Sequence, residues 1–264
     1  MADKQVRARV KSTEAVEKAV ETHGTSVGKA LDEGFSPFLK KGEKMPDFEL
    51  ALDLVSRSMT GATDTLNNAS DAHEKELKDD VKPKSDRDDK VAKLRVDMTD
   101  LRAMVERFLG QVALKTLGLE GQTPMDPGQL RKLAERTAAA LRNKKVELPK
   151  PRLAGLTIDR AALATQIEKS ATALGESMRT VLREDREAEA TLAAKWDAMS
   201  KNDLAFSRGV KWIVATFELA GATELASRVR PSSRRAGVLA EVEESEPEPD
   251  TTEESTENVS DTPQ

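Results

Sequence analysis

The chain has no cysteine and no tyrosine, only two histidines and two tryptophans, and aromatic residues make up 3% of its 264 positions. Without cysteine there can be no disulfides, thiolate nucleophiles, iron–sulfur clusters or cysteine-ligated zinc. The same absence fits a reducing compartment, and a cytoplasmic location is expected. A thick globular core ordinarily buries many large rings, so the shortage of aromatics points to a slender core one helix stripe deep. Long apolar runs are missing too. The most hydrophobic stretch, 210–226, is interrupted by Lys211, Glu218 and Glu224, and no membrane-spanning helix is expected. The opening residues Met1 to Arg7 contain no apolar leader region, so no secretory signal is expected.

Catalytic and ligand-binding motifs are also absent. No GxxxxGK[ST] or GxGxxG occurs; GxSxG is matched once, at Gly24-Thr25-Ser26-Val27-Gly28, but inside the first helical pattern and not at the strand-to-helix turn the motif requires, and the serines and threonines stand without an evident basic partner. His73 opens an HExxH-like segment, but Leu77 stands where a second zinc ligand is required. A di-iron bundle needs Glu three residues before His; those positions hold Val20 before His23 and Ser70 before His73. Asp86, Asp88 and Asp89 lack the glycine and terminal glutamate of a calcium loop. No catalytic residue, metal ligand or cofactor is therefore expected, and the chain reads as a non-enzyme.

What is present is helical patterning and charge. Charged residues reach 34% and apolar residues 38%. Leu52, Val55, Met59, Ala62, Leu66 and Ala69 recur at 3–4 spacing, as do Val91, Leu94, Met98, Leu101, Val105, Phe108 and Val112. That spacing places apolar side chains on one stripe of a helix, as in a bundle or coiled coil.

The pattern predicts a first helix from about Asp3 to Glu33, closed by Gly34, and a loop to Pro46 plugged by Phe35, Phe38 and Leu39. A second helix starts with Pro46 at its first position and runs to about Val81. Pro83 then marks a turn, and Ser85 or Asp86 caps a third helix ending near Gly118 or Gly121. A short helix follows over 127–145. The longest helical pattern begins at Thr157 or Asp159; the run from Leu204 to Val229 either continues it or forms a separate helix after a break near Asn202. The expected class is all-α: an elongated antiparallel helical bundle of four or more long helices over 1–235, divisible into 1–121 and 157–230 joined by the short basic helix. Ten of the 47 acidic residues, and none of the 42 basic ones, fall from Glu241 onward, so residues 1–240 are net +5. Residues 236–264 are expected to form a disordered acidic tail.

Two surfaces are candidates for binding. Arg131, Lys132, Arg136, Arg142, Lys144 and Lys145, within the basic segment 131–152, form a possible patch for an acidic partner or polyanion, although no aromatic side chain is interleaved to stack bases. Trp212, Ile213 and Phe217 are too many apolar residues for one narrow stripe; besides burial, they offer a possible interaction or self-association surface. The function expected is that of a non-enzymatic interaction, adaptor or scaffold protein with unidentified protein partners, and a homo-oligomer is possible. The alternative is a nucleic-acid or anionic-membrane-surface protein using segment 131–152.

Overall fold

The computed structural model describes residues 4–152 and 157–245, with side chains as far as 242. It is all-α, with long helices packed on one another. Among the described residues the only β pairing is an isolated bridge between Pro231 and Leu239. The helices are α1 (Lys4–Phe35), α2 (Phe48–Asp79), α3 (Val81–Leu109), α4 (Gln111–Thr116), α5 (Pro127–Arg142), α6 (Arg160–Leu219), α7 (Thr223–Arg228) and α8 (Ala240–Ser245), with a 3-10 turn at Ser36–Phe38. None of these helices is long and apolar enough to cross a membrane.

The chain divides into two compact units. The first joins residues up to Asp71 with those from Lys195 onward; the second is Ala72–Ala194. This partition differs from the expected 1–121 and 157–230. Both α2 and α6 contribute residues to each unit, so the division cuts across two helices.

In the first unit, α1, the front of α2 and the back of α6 surround one core. Val16, Val20, Val27 and Leu31 of α1 meet Leu52 and Met59 of α2 and Phe206, Val210, Ile213 and Phe217 of α6. Val6, Leu66, Ala198 and Met199 form a smaller cluster. Helix directions follow from the pairs. Thr63 donates to Asn202 at 2.8 Å, and Arg9 Nε lies 2.7 Å from Asp203 Oδ1. Val6 thus sits near Leu66 and Met199, so α2 runs antiparallel to α1 and α6. Gly209 lies against Met59, and any Cβ there would meet the Met59 side chain. The glycine is what lets α2 and α6 approach so closely.

In the second unit, Leu94, Met98, Leu101, Val105 and Leu109 of α3 pack with Leu130, Ala134, Ala138 and Leu141 of α5 and with Ala164, Ile167, Ala171 and Leu174 of α6. Ala113 and Leu114 of α4, with Leu117 and Leu119 beyond it, close one end of this core. The orphan carbonyls at the end of α5 are satisfied by one residue: the Arg160 guanidinium donates to the carbonyls of Ala140, Leu141, Asn143 and Val146 at 3.0–3.1 Å.

Several expectations are corrected. Pro83 does not make a turn. Asp80 keeps right-handed helical dihedrals, its N–H bonds to Glu76, and the Lys84 N–H bonds to Asp80. Helical geometry therefore passes from α2 into α3, and Pro83 costs only one ladder bond because it lacks an N–H. Asp47, not Pro46, starts α2: its carboxylate accepts the Leu50 N–H at 2.8 Å. Gly110, with φ of 84°, ends α3 before Gly118 and leaves Val112 outside the core. Of the two readings at Asn202, continuation holds: α6 runs unbroken through it to Leu219. Phe38 is 80% exposed rather than plugging the loop, and Phe35 stacks on Phe48. Residues 236–242 are not tail: Val238 and Leu239 are buried, and the Leu239 N–H bonds to Ser12 Oγ of α1. The expected cap at Asp3 and the tail beyond residue 245 lie outside the described residues.

Candidate functional site

The basic segment is carried by α5 and the turn after it. Lys132 and Arg136, with Glu135 and Ala139, line a shallow groove on the outer face of α5. Lys144 and Lys145 are exposed in the turn. Two members of the expected patch are engaged by acids: Arg131 pairs with Glu135 at 3.1 Å and Arg142 with Glu168 at 2.5 Å. These pairs leave Lys132, Arg136, Lys144 and Lys145 as the part of the patch best placed to meet an anion.

The expected apolar surface splits in two. Ile213 and Phe217 are fully buried in the first unit's core and are packing residues, because the helical period turns them toward α1 and α2. Trp212 is 38% exposed and Leu219, seven residues on and so on the same face, is 70% exposed. Trp196, on the same helix, is 53% exposed. Arg208 and Lys211 flank Trp212 on the surface.

A third arrangement was not foreseen. In the second unit, α2 and α6 meet through polar residues. His73, Glu76 and Asp80 lie one turn apart on one face of α2 and its junction with α3; Thr191, Glu187 and Glu184 answer them on α6 in antiparallel order. His73 Nδ1 contacts Thr191 Oγ1 at 3.0 Å. Carboxylate oxygens of Glu76, Glu184 and Glu187 all fall within 4.8 Å of one another. Arg183 Nη2 reaches Glu184 at 2.7 Å and its Nε reaches Glu187 at 3.7 Å. Lys84 bridges Asp80 at 2.9 Å and Asp185 at 3.3 Å, and hydrogen bonds to those two acids hold its ammonium pKa above the ordinary value. Burial, reinforced by the charges of Glu187, Glu184, Asp80 and Asp79, pushes the Glu76 carboxyl above the usual carboxylate range.

The sequence signal for this layer was available: His73-x-x-Glu76 and Glu184-x-x-Glu187 each place two polar side chains on one helical face. It was missed because the two motifs are more than a hundred residues apart, and nothing local says that they face each other. Comparison with protein-family profiles, curated proteins and solved structures gave no match.

Proposed function

We propose that the protein is a non-enzymatic interaction or scaffold protein, and that the α6 face bearing Trp212 and Leu219 is a contact surface for a protein partner. One observation carries this reading. The chain has only eight aromatic side chains, two Trp and six Phe, and both tryptophans stay more than one-third exposed. A sequence so short of large apolar groups gains most by burying them. Tryptophan is also among the residue types enriched in the few positions that dominate binding energy at protein interfaces. The flanking Arg208 and Lys211 give the face a polar rim of the kind interfaces carry. The polyanion alternative has less support, since Arg131 and Arg142 already hold carboxylates.

The test is site-specific photo-crosslinking in the source cells, with a benzophenone amino acid replacing Trp212. Adducts at 212, to a second copy or to another protein, are expected, with none from a control probe at Glu17 on the exposed side of α1. Equal labelling from both positions, or none from 212, would contradict the assignment.

A further inference from the structure

We propose that the groove between α1 and α2 in the first unit binds a small linear polyamine. Glu17 and Glu21 line it from α1, and Glu49 and Asp53 from α2. Each pair is spaced four residues, about 6 Å along its helix. Two hydrogen bonds fix how the helices align: Thr13 with Thr63 at 2.9 Å, and Thr25 to Glu49 at 2.8 Å. In that antiparallel register Glu21 comes level with Asp53, and Glu17 with Arg57. The four carboxylates thus form two facing rows along a groove of about 440 Å3.

Acidic residues on facing helices are ordinary; what marks this groove is its floor. Ser56 lines it from α2 and is 4% exposed. Its carbonyl accepts Thr60 Oγ1 at 3.3 Å, but its hydroxyl, turned to the groove, makes no hydrogen bond with any described residue. A hydroxyl withdrawn from water without a partner is costly, and a donor entering the groove would satisfy it. Gly24 lines the floor from α1. It is buried within that helix, where glycine costs up to about 1 kcal/mol relative to alanine. Packing does not require it: a Cβ there would have its nearest neighbour at 3.9 Å, in Val20 of its own helix, whereas a Cβ on Gly209 would collide with Met59. The bare backbone at Gly24 keeps the floor open.

Charge and spacing name the ligand class. Arg57 is the basic residue in the lining, and it engages Asp53. Glu17 and Glu21 engage no basic group among the described residues, so the groove stays negative and favours a cation. Among the described residues no three of these carboxylates bring oxygens within 4.8 Å of one another, so the rows do not converge on one metal ion. They suit ammonium groups separated along a flexible chain, each donating to a carboxylate in a charge-assisted hydrogen bond. The methylenes between the ammonium groups would lie over Val20 and Gly24, within reach of the Ser56 hydroxyl. The site is independent of the Trp212 face, and neither reading requires the other.

The experiment is isothermal titration of spermidine into the full-length protein at physiological ionic strength. The ten acidic residues from Glu241 onward also attract polycations, but that attraction is screened by salt and is the same in every variant. One saturable site per chain is expected. Gly24→Leu keeps every charge, is a better helix former and fills the floor; it should weaken binding about ten-fold or more. The double variant Glu17→Gln/Glu21→Gln, at exposed positions, should do the same. Glu106→Gln/Glu120→Gln removes equal charge from exposed positions in the second unit and should leave binding unchanged. Ser56→Ala should weaken it about five-fold through one lost hydrogen bond. Circular dichroism checks that each variant keeps its helices. No saturable binding below about 1 mM, wild-type affinity in any of the three groove variants, or equal weakening by both double variants overturns the proposal. Tetralysine binding in the same groove more tightly than spermidine also overturns it, since the groove would then belong to a lysine-rich protein segment.

Discussion

Leu101 is buried midway along α3, among Met98, Val105 and the α5 and α6 side chains of the second unit. Leu101→Asp would place an unpaired carboxylate in that core and is expected to cost about 3 kcal/mol or more. Thermal melting by circular dichroism checks it; an unchanged midpoint would mean that Leu101 does not face the core. Glu76 makes a prediction of opposite sign. Its carboxyl is raised in the folded protein by burial and then by Glu187, Glu184 and Asp80, so the folded state holds this proton to higher pH than the unfolded chain does. Its contribution to stability is therefore lost as pH rises from the ordinary glutamate range through the raised value. Glu76→Gln should raise the melting temperature at neutral pH and leave it nearly unchanged well below pH 4.5, the ordinary value for the group. A lower melting temperature at neutral pH would show that ionised Glu76 is favourably held. At this scale the apolar seam was legible and the buried polar residues were not. Leu52, Met59 and Leu66 are core as read, but Ser56 and Thr63 are buried between them and Ser70 beyond Leu66, whereas Val55, Ala62 and Ala69 lie at the edge. Hydrophobicity alone passes over small hydroxyl side chains, and these are tolerated inside where they find partners, as Thr63 does with Thr13 and Asn202.

Helix existence was readable from period, and helix junctions were not, because they depend on contacts distant in sequence. Pro83 reads as a turn, yet the backbone around Asp80 stays helical; packing of α2 and α3 along α6 outweighs the loss of one ladder bond. The same contact explains Gly209, buried mid-helix where glycine is otherwise unfavourable. Gly209→Ala would raise local helix propensity but push a methyl group into Met59 and Val55. Overpacking is expected to win, for a net loss of about 1–3 kcal/mol, measured by urea unfolding. A gain in stability would show that α2 and α6 can separate there freely. The start of the short helix α5 was placed to the residue, since Asp126 caps it by accepting the Gln129 N–H at 2.8 Å, a local signal of the kind sequence carries well; its end falls at Arg142, short of the expected 145.

Residues from early and late in the described chain together build the first unit, and the stretch between them builds the second. That discontinuity was not legible, because no composition change marks residues 71 or 195 and both boundaries fall inside helices. It accounts for the burial of Val238 and Leu239, which pack where α1 supplies Ser12 as acceptor. Removing residues 246–264 should leave the melting temperature within error, whereas removing 236–264 should cost about 2–4 kcal/mol through the lost leucine and valine; equal effects would place the stabilising contacts elsewhere. The union of these early and late residues is tested most directly by a double-mutant cycle on Arg9 and Asp203. These residues are 194 positions apart and joined through two hydrogen bonds of 2.7 and 2.9 Å, with side chains 11% and 20% exposed. Urea unfolding of wild type, Arg9→Ala, Asp203→Ala and the double variant should give a favourable coupling energy of about 1.5 kcal/mol. Strictly additive effects of the two substitutions would contradict a unit built from early and late residues together.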